Sequence, residues 1–499
     1  MSRHDPGALR KETEPGQANR QISSGADGAA VAVESRTRVQ HAADLGGHRV
    51  REVRGTIFPA STEEVRQAVV SAARTNTPIF PLSTGRNWGM GSRSPVSDGC
   101  SILDAGRMTA VRTLDLDRGY AVIEPGVTQR QLAELLEDTP WMLNVTAGCA
   151  DASIVGNTLE RGDGTLRPRI DDLLGVEVVL GTGQVMTTGG LDRNGRYAGT
   201  LAGPDLTRAF VQSNLGVVTA MAIGLVPRPQ TITLVHATFG KAALAEVVEA
   251  MIRVGRTRNA TDGMLRLKDL FVVPEAGRAA LPATADIDAV TVQLPLLGSR
   301  AAVEDSERTV REIFSCVREL VSYRSLDTAQ TATDDPLHPR TLFARGIPSC
   351  VNVQGGLGVT SCAQVDRSTI GRLMFLPVVP FERGDLSRAI ELFEAEARRY
   401  GTAGMLEFNV VSQRSTNMVA QIPFLRDPGS IDRAHELRRA ARRSFLRAGF
   451  PPYRSDIDHE PWELPDRAAD YLDEPLHMLK RMYDPAAIIA PGRFLASDR

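Results

Sequence analysis

The stretch "PLSTGRNWGMG", residues 81–91, packs Gly85, Gly89 and Gly91 into seven positions directly after a short apolar run. Glycines at that density mark backbone that visits positive φ or approaches another group closely. Two familiar explanations fail on spacing. A dinucleotide fingerprint, G-x-G-x-x-G, needs a helix directly behind it, whereas "SPVSDG" turns this chain into another strand. A P-loop needs G-x-x-x-x-G-K-[ST], which occurs nowhere. A backbone nest remains, in which successive N–H groups face an anion without any lysine, and that chemistry suits a pyrophosphate. A tight turn between strands is the plainer alternative.

Working outward, "FPASTEEVRQAVVSAARTN" sets Ser61 three residues before Glu64, a capping box. Val65, Ala68, Val69, Ala72 and Ala73 follow at helical spacing. "SILDAG" and "YAVIEPGV" read as strands, and Thr128 with Gln131 opens a helix over "TQRQLAELLED". "VEVVLGTGQVMTT" reads as a hairpin, and "LGVVTAMAIGLVP" as a strand. From Thr231 to about Arg447 strands alternate with longer helices, as in "ITLVHATF" before "KAALAEVVEAMIRV". That pattern predicts a second domain, an antiparallel sheet covered by helices on one face. The tail "YDPAAIIAPGRF" returns to the texture of the first half.

Composition narrows the classes. At 499 residues the chain predicts two or three domains, and a net charge of -2 without long like-charge runs excludes a nucleic-acid or membrane-surface footprint. The five cysteines form no C-x-x-C pair or zinc spacing, so neither a disulfide framework nor a metal is expected. H-E-x-x-H, G-x-S-x-G and EF-hand loops are absent. No signal-peptide pattern or run of 18 apolar residues occurs, which predicts a cytoplasmic protein with a polar, loosely ordered tail over residues 1–50.

Five motifs then occur in order: "PLSTGRNWGMG", "VIEPGVTQRQL", "GCADASIVGNTLERGDG", "FVQSNLGVVTAMAIGLVPRP" and "DPAAIIAPGRF". The series resembles the vanillyl-alcohol oxidase and p-cresol methylhydroxylase family of FAD enzymes, from about Arg51 to Phe494. The resemblance implies an α+β fold: a PCMH-type FAD-binding domain over residues 51–229 and 448–499, enclosing a cap over residues 230–447. It implies FAD held by Ser83, Thr84, Gly85, Arg86, Asn87, Trp88, Gly89, Met90 and Gly91, with the glycines admitting the pyrophosphate. Pro125, Gly148, Cys149, Ser153, Gly156, Asn157 and Gly162 match further flavin-contacting segments. Gly216 and Val218 match the adenine-side strand, and Arg493 the last motif.

"YRSD", residues 453–456, matches a Tyr-Arg pair that phenol-oxidising relatives place beside flavin and substrate. Arg454 would stabilise negative charge on the reduced flavin and on a phenolate, with Tyr453 beside it. Other family features are missing. Met90 replaces a phenolate-binding tyrosine, and Gly148 falls where relatives carry a catalytic aspartate. Relatives attach FAD through a cap histidine or tyrosine, whereas "VVSQRSTNMVAQI" offers Asn417 and Met418. Enzymes of the berberine-bridge type use a cysteine seven residues before the glycine of the second motif, and Cys149 lies at that spacing from Gly156. Noncovalent FAD is expected, with a Cys149 thioether as the alternative. For a general base the chain offers Asp456, Asp458, His459 and Glu460, of which Asp456 is selected.

The expected function is an FAD-dependent oxidoreductase that takes a hydride from an activated C–H of an alcohol, phenol or related small molecule, with O2 as electron acceptor. A homodimer is compatible with this reading. The rivals are a berberine-bridge-like oxidase with cysteinyl flavin and a flavin-free pseudoenzyme acting as a binding module.

Overall fold

The computed structural model describes residues 33–34, 39–40, 44–146, 148–257, 262–282, 285–459 and 466–495. The fold is α+β, and its described strands form two sheets of five strands, one of two and one of eight. The strands Glu52–Ile57, Cys100–Asp104 and Ile79–Leu82 run parallel, and Val33–Glu34 and Val39–Gln40 add antiparallel to the first. A five-stranded antiparallel sheet follows, with Gly216–Gly224 at its centre between Leu173–Leu180 and Tyr120–Ile123. The expected hairpin is present, with Val185–Thr187 paired to the strand Leu173–Leu180 around Gly183 at φ 80°.

The helix Thr62–Thr75 lies between these sheets. Ser61 caps it by accepting the Glu64 N–H at 3.2 Å, and Glu64 returns a bond from the Ala60 N–H at 3.0 Å. The helix buries Val65, Ala68, Val69 and Ala72 against Val179 and Val217 of one sheet and Ile79 and Leu103 of the other. Ile488 and Ile489 close the same core. The Ile79 N–H donates to Ile488 O at 2.8 Å and the Ala490 N–H to Ile79 O at 2.7 Å. The C-terminal strip therefore packs with the first hundred residues.

Eight strands form the largest sheet, all pairs antiparallel, with Thr231–Gly240, Ala289–Gly298, Arg266–Val272, Gly404–Val410, Ser415–Leu425 and Ile370–Pro380 as neighbours in that order. Four helices, Leu244–Thr257, Arg300–Ser315, Arg383–Tyr400 and Pro428–Arg447, bury one face of it, where Phe239, Phe314, Phe375, Phe393, Phe408 and Phe445 meet. Strand alternation sends the intervening residues to the opposite face. The edge strand Pro452–Arg454 pairs with Ile370–Pro380, which brings the Tyr-Arg pair onto this sheet.

One local expectation changes. Residues 44–50, assigned to a polar tail, are packed where described: Leu45 and His48 are buried, and the His48 ring bonds Asp44 at 2.7 Å. Residues 1–32 of that tail lie outside the described residues. The segment "VVSQRSTNMVAQI" is largely a strand, which turns Met418 into the helix-side core and Asn417 to the opposite face.

Candidate active site

A cleft with about 1290 Å³ of empty space opens where the glycine loop, the segment after Tyr120–Ile123, the short helix Ile154–Leu159, the start of Gly216–Gly224 and the C-terminal strip converge. Ser153 ties three of these segments together. Its N–H donates to Thr84 Oγ1 at 3.0 Å, its hydroxyl donates to Pro125 O at 2.6 Å, and it accepts the Gly156 N–H at 2.9 Å. Fifteen of the residues expected at the cofactor and catalytic site line this cleft: Ser83, Thr84, Gly85, Arg86, Asn87, Met90, Gly91, Pro125, Ser153, Gly156, Asn157, Gly216, Val218, Arg454 and Arg493.

The lining fits the pyrophosphate of FAD. The N–H groups of Gly85, Arg86 and Asn87 find no acceptor among the described residues, and they border a cleft that no lysine lines. Two of the glycines also answer a packing need. A Cβ on Gly89, at φ 74°, would meet the Arg372 carbonyl at 2.8 Å, and one on Gly91, at φ 116°, would meet Ile457 at 2.6 Å. They let the loop pass close under the large sheet and the C-terminal segment.

Trp88, Gly89, Gly148, Cys149, Gly162, Tyr453 and Asp456 do not line the cleft. Trp88 points away and donates its indole N–H to Asp366 at 3.3 Å. Gly148 is exposed, and Gly162 packs its backbone on the Asn157 side chain. Cys149 is buried with its sulfur against those of Cys350 and Cys362.

Asp456 is not placed as a base. Its carboxylate is fully buried, ion-paired to Arg438 at 2.7 Å and bonded to the His459 ring at 2.7 Å, with the His48 ring at 3.5 Å. Burial raises its pKa, but Arg438, His459 and His48 outweigh that and hold the carboxyl well below the usual carboxylate range. Burial also lowers the His459 ring, to about 4. Asp458 pairs with Arg51, and Glu460 lies outside the described residues. The acidic cluster is structural.

Arg454 does reach the cleft. It donates to Asn87 Oδ1 at 2.8 Å and lies 3.8 Å from Glu160, the carboxylate that also pairs with Arg493 at 3.0 Å. Tyr453 is buried beside Met90 and Leu376, and its carbonyl accepts from Gln212 at 2.7 Å. Burial, then the nearby Asp163 carboxyl, pushes its hydroxyl well above the usual tyrosine range.

Asp163 is the acid that sequence reasoning missed. Asn409 and Asn417 each donate to one of its oxygens, at 2.9 and 2.8 Å. Burial pushes its carboxyl up, against the opposing pull of Asn409, Arg266, Asn417 and Arg454.

The two asparagines belong to a polar row. Arg324, His236, Gln293, Arg266, Asn409 and Asn417 are successive cross-strand partners on the face of the large sheet turned away from the helices. Lys268 and Glu407, two residues along their strands, form an ion pair at 2.7 Å on the same face. Arg340 approaches Gln293 at 3.5 Å. Burial, then Arg340, lowers the His236 ring to about 4, so it is neutral at pH 7. The signal was present in the sequence: "LRLKDLF", "VTVQLPL" and "LEFNVV" interrupt apolar strands with polar residues at period two.

Residues 53–189 match a family described as an FAD binding domain. Across nearly the whole chain it is similar to the 1'-carboxy-chondrochloren decarboxylase of Chondromyces crocatus, at 28% identity over 90% of this chain and 91% of that one. It is also similar to the 4-cresol dehydrogenase [hydroxylating] flavoprotein subunit of Pseudomonas putida, at 27% identity over 87% and 86%. In structure it is similar to p-cresol methylhydroxylase with substrate bound, at a TM-score of 0.78 and 25% identity over 90% of each chain. It shares the fold of the 4-ethylphenol oxidase of Gulosibacter chungangensis, at a TM-score of 0.77 and 21% identity over 92% of each chain. Among the described residues no helix is long and apolar enough to cross a membrane. Cleft, fold and relatives agree: the chain is an FAD-dependent oxidoreductase with the two-domain fold of the p-cresol methylhydroxylase type.

Proposed function

We propose that this oxidoreductase acts on a small organic substrate carrying an anionic group, a carboxylate or phenolate, next to the C–H that is oxidised. The observation that carries this reading is the charge on the polar row. Arg324 is paired with Asp335 and Lys268 with Glu407, but Arg266 and Arg340 have no ion-pair partner among the described residues. Two buried or half-buried guanidiniums outside any direct ion pair, sharing the fields of Asp163 and Glu407 with Arg454 and Lys268, favour a ligand that adds negative charge. The relative from Chondromyces crocatus is named for a carboxylated compound, which agrees with this choice.

Bound FAD, held by the Ser83–Asn87 loop amides and Arg493, would supply hydride acceptance. The chain's own residues do the rest. Arg266 and Arg340 bind the anionic group and fix the substrate's orientation against Arg454. Asp163 keeps lone pairs beyond those used by Asn409 and Asn417, so it can take a proton from a substrate O–H as the C–H is broken. Arg454 stabilises negative charge that develops in the cleft. On family resemblance, dioxygen is the electron acceptor.

The test uses a panel of aromatic and benzylic acids with their methyl esters, followed by anaerobic bleaching of the flavin. Acids should reduce it at concentrations at least about 10-fold lower than their esters, one charge contact being worth a tenfold change. Arg340→Met should erase that preference while leaving FAD content unchanged. Equal reactivity of acid and ester overturns the reading. Mixing the reduced protein with air-saturated buffer separates O2 from a protein acceptor.

A further inference from the structure

Three of the five cysteines meet in space although no two are close in sequence, and none forms a disulfide. Cys149 Sγ lies 3.4 Å from Cys350 Sγ and 3.3 Å from Cys362 Sγ, and Cys350 Sγ lies 3.9 Å from Asp151 Oδ2. All four atoms fall within 4.8 Å of one another. Tetrahedral zinc, with Zn–S of about 2.3 Å, places its sulfur ligands about 3.7 Å apart, so closing on an ion requires shifts of a few tenths of an ångström. The sulfurs are buried and the carboxylate is partly exposed, which leaves an approach from solvent.

The surroundings are those of a held ligand set. Arg130 donates to the other Asp151 oxygen at 2.9 Å and orients the carboxylate. Gln129 donates to the Cys149 carbonyl at 2.8 Å and fixes its loop. Arg86 donates to the Cys362 carbonyl at 3.1 Å, placing a second positive charge beside the sulfurs. Cysteines used only as small apolar filler need none of these, nor a carboxylate among them.

We propose that Cys149, Asp151, Cys350 and Cys362 form a tetrahedral site for a thiophilic divalent cation, zinc above all. Binding would convert one cation, three thiols and one carboxylate into a doubly negative complex with release of three protons. Arg130 and Arg86 offset that charge. The ion would clamp two distant segments. Cys149 and Asp151 lead directly into Ser153 of the cofactor cradle, while Cys350 and Cys362 flank the helix Val351–Leu357. Because the ion displaces three thiol protons, affinity should climb steeply with pH.

Protein purified without chelators should carry about one zinc per chain by elemental analysis. Cobalt(II) added to zinc-stripped protein should give the intense ligand-field and sulfur charge-transfer bands of a tetrahedral thiolate site, a readout that needs no variant and no turnover. Cys350→Ser and Cys362→Ser should cut bound zinc to about a tenth or less, whereas Cys316→Ser, at an exposed cysteine, should not change it. Three thiols that all react with a thiol reagent after equilibration with zinc would overturn the proposal. So would a Cys149 disulfide, or flavin that stays with acid-precipitated protein and is lost in Cys149→Ala.

Discussion

Arg454 donates to Asn87 Oδ1 at 2.8 Å, so the guanidinium at the end of an edge strand of the large sheet is held by the glycine loop of the cofactor cleft. One hydrogen bond thus couples two parts of the fold at the point where flavin and substrate are expected to meet. Arg454→Lys keeps the charge but loses the planar fork, and should slow flavin reduction by about 10²-fold, the order seen when one stabilising donor is removed. Asn87→Ala should cost less, because Glu160 still faces the guanidinium. Anaerobic stopped-flow reduction measures both.

Asp456→Ala should act on stability first. The Arg438–Asp456 pair is fully buried, and removing the carboxylate takes its counter-charge from a buried guanidinium, at a cost of about 3–5 kcal/mol. Denaturant unfolding should show that loss, with FAD affinity falling in parallel. A variant of unchanged stability but abolished turnover would restore Asp456 as a base.

His48 makes the same network sensitive to pH. Burial alone would lower its pKa from 6.5, but the carboxylates of Asp44 and Asp456 raise it to about 10. The folded state therefore binds the proton more tightly than the unfolded chain. The stabilisation is complete below pH 6.5 and declines as pH rises towards about 10. Melting temperatures taken from pH 6 to pH 10 should fall across that range in the wild type and flatten in His48→Gln.

Gly89→Ala tests the close approach of loop and sheet. The new methyl meets a backbone carbonyl at 2.8 Å and the residue is held at φ 74°, so neither neighbour yields cheaply. A loss of about 1–3 kcal/mol is expected, together with weaker FAD retention on gel filtration.

Asp163→Asn should leave folding intact, since Asn409 and Asn417 can turn their amides to the new partner, yet lower the rate of flavin reduction about 10²-fold and flatten its acid limb with pH. A pH profile of the wild-type form superimposed on a smaller amplitude would assign Asp163 to positioning alone.

What the sequence by itself determined is local. Ser61 and Glu64 marked a helix start and apolar positions at period two marked strands, whereas the FAD cradle came only as what the resemblance of five ordered motifs to a known family implies. These follow from backbone conformations and side-chain periods that neighbouring residues impose on one another. The tertiary structure decided which charges are usable. It buried Asp456 under Arg438 and two histidines, raised Asp163 between two asparagines about 250 positions away, and brought together three cysteines over 200 positions apart at the extreme. Those contacts depend on how two sheets and a C-terminal strip pack, and desolvation acts only once the packing is complete. No spacing along the chain encodes that.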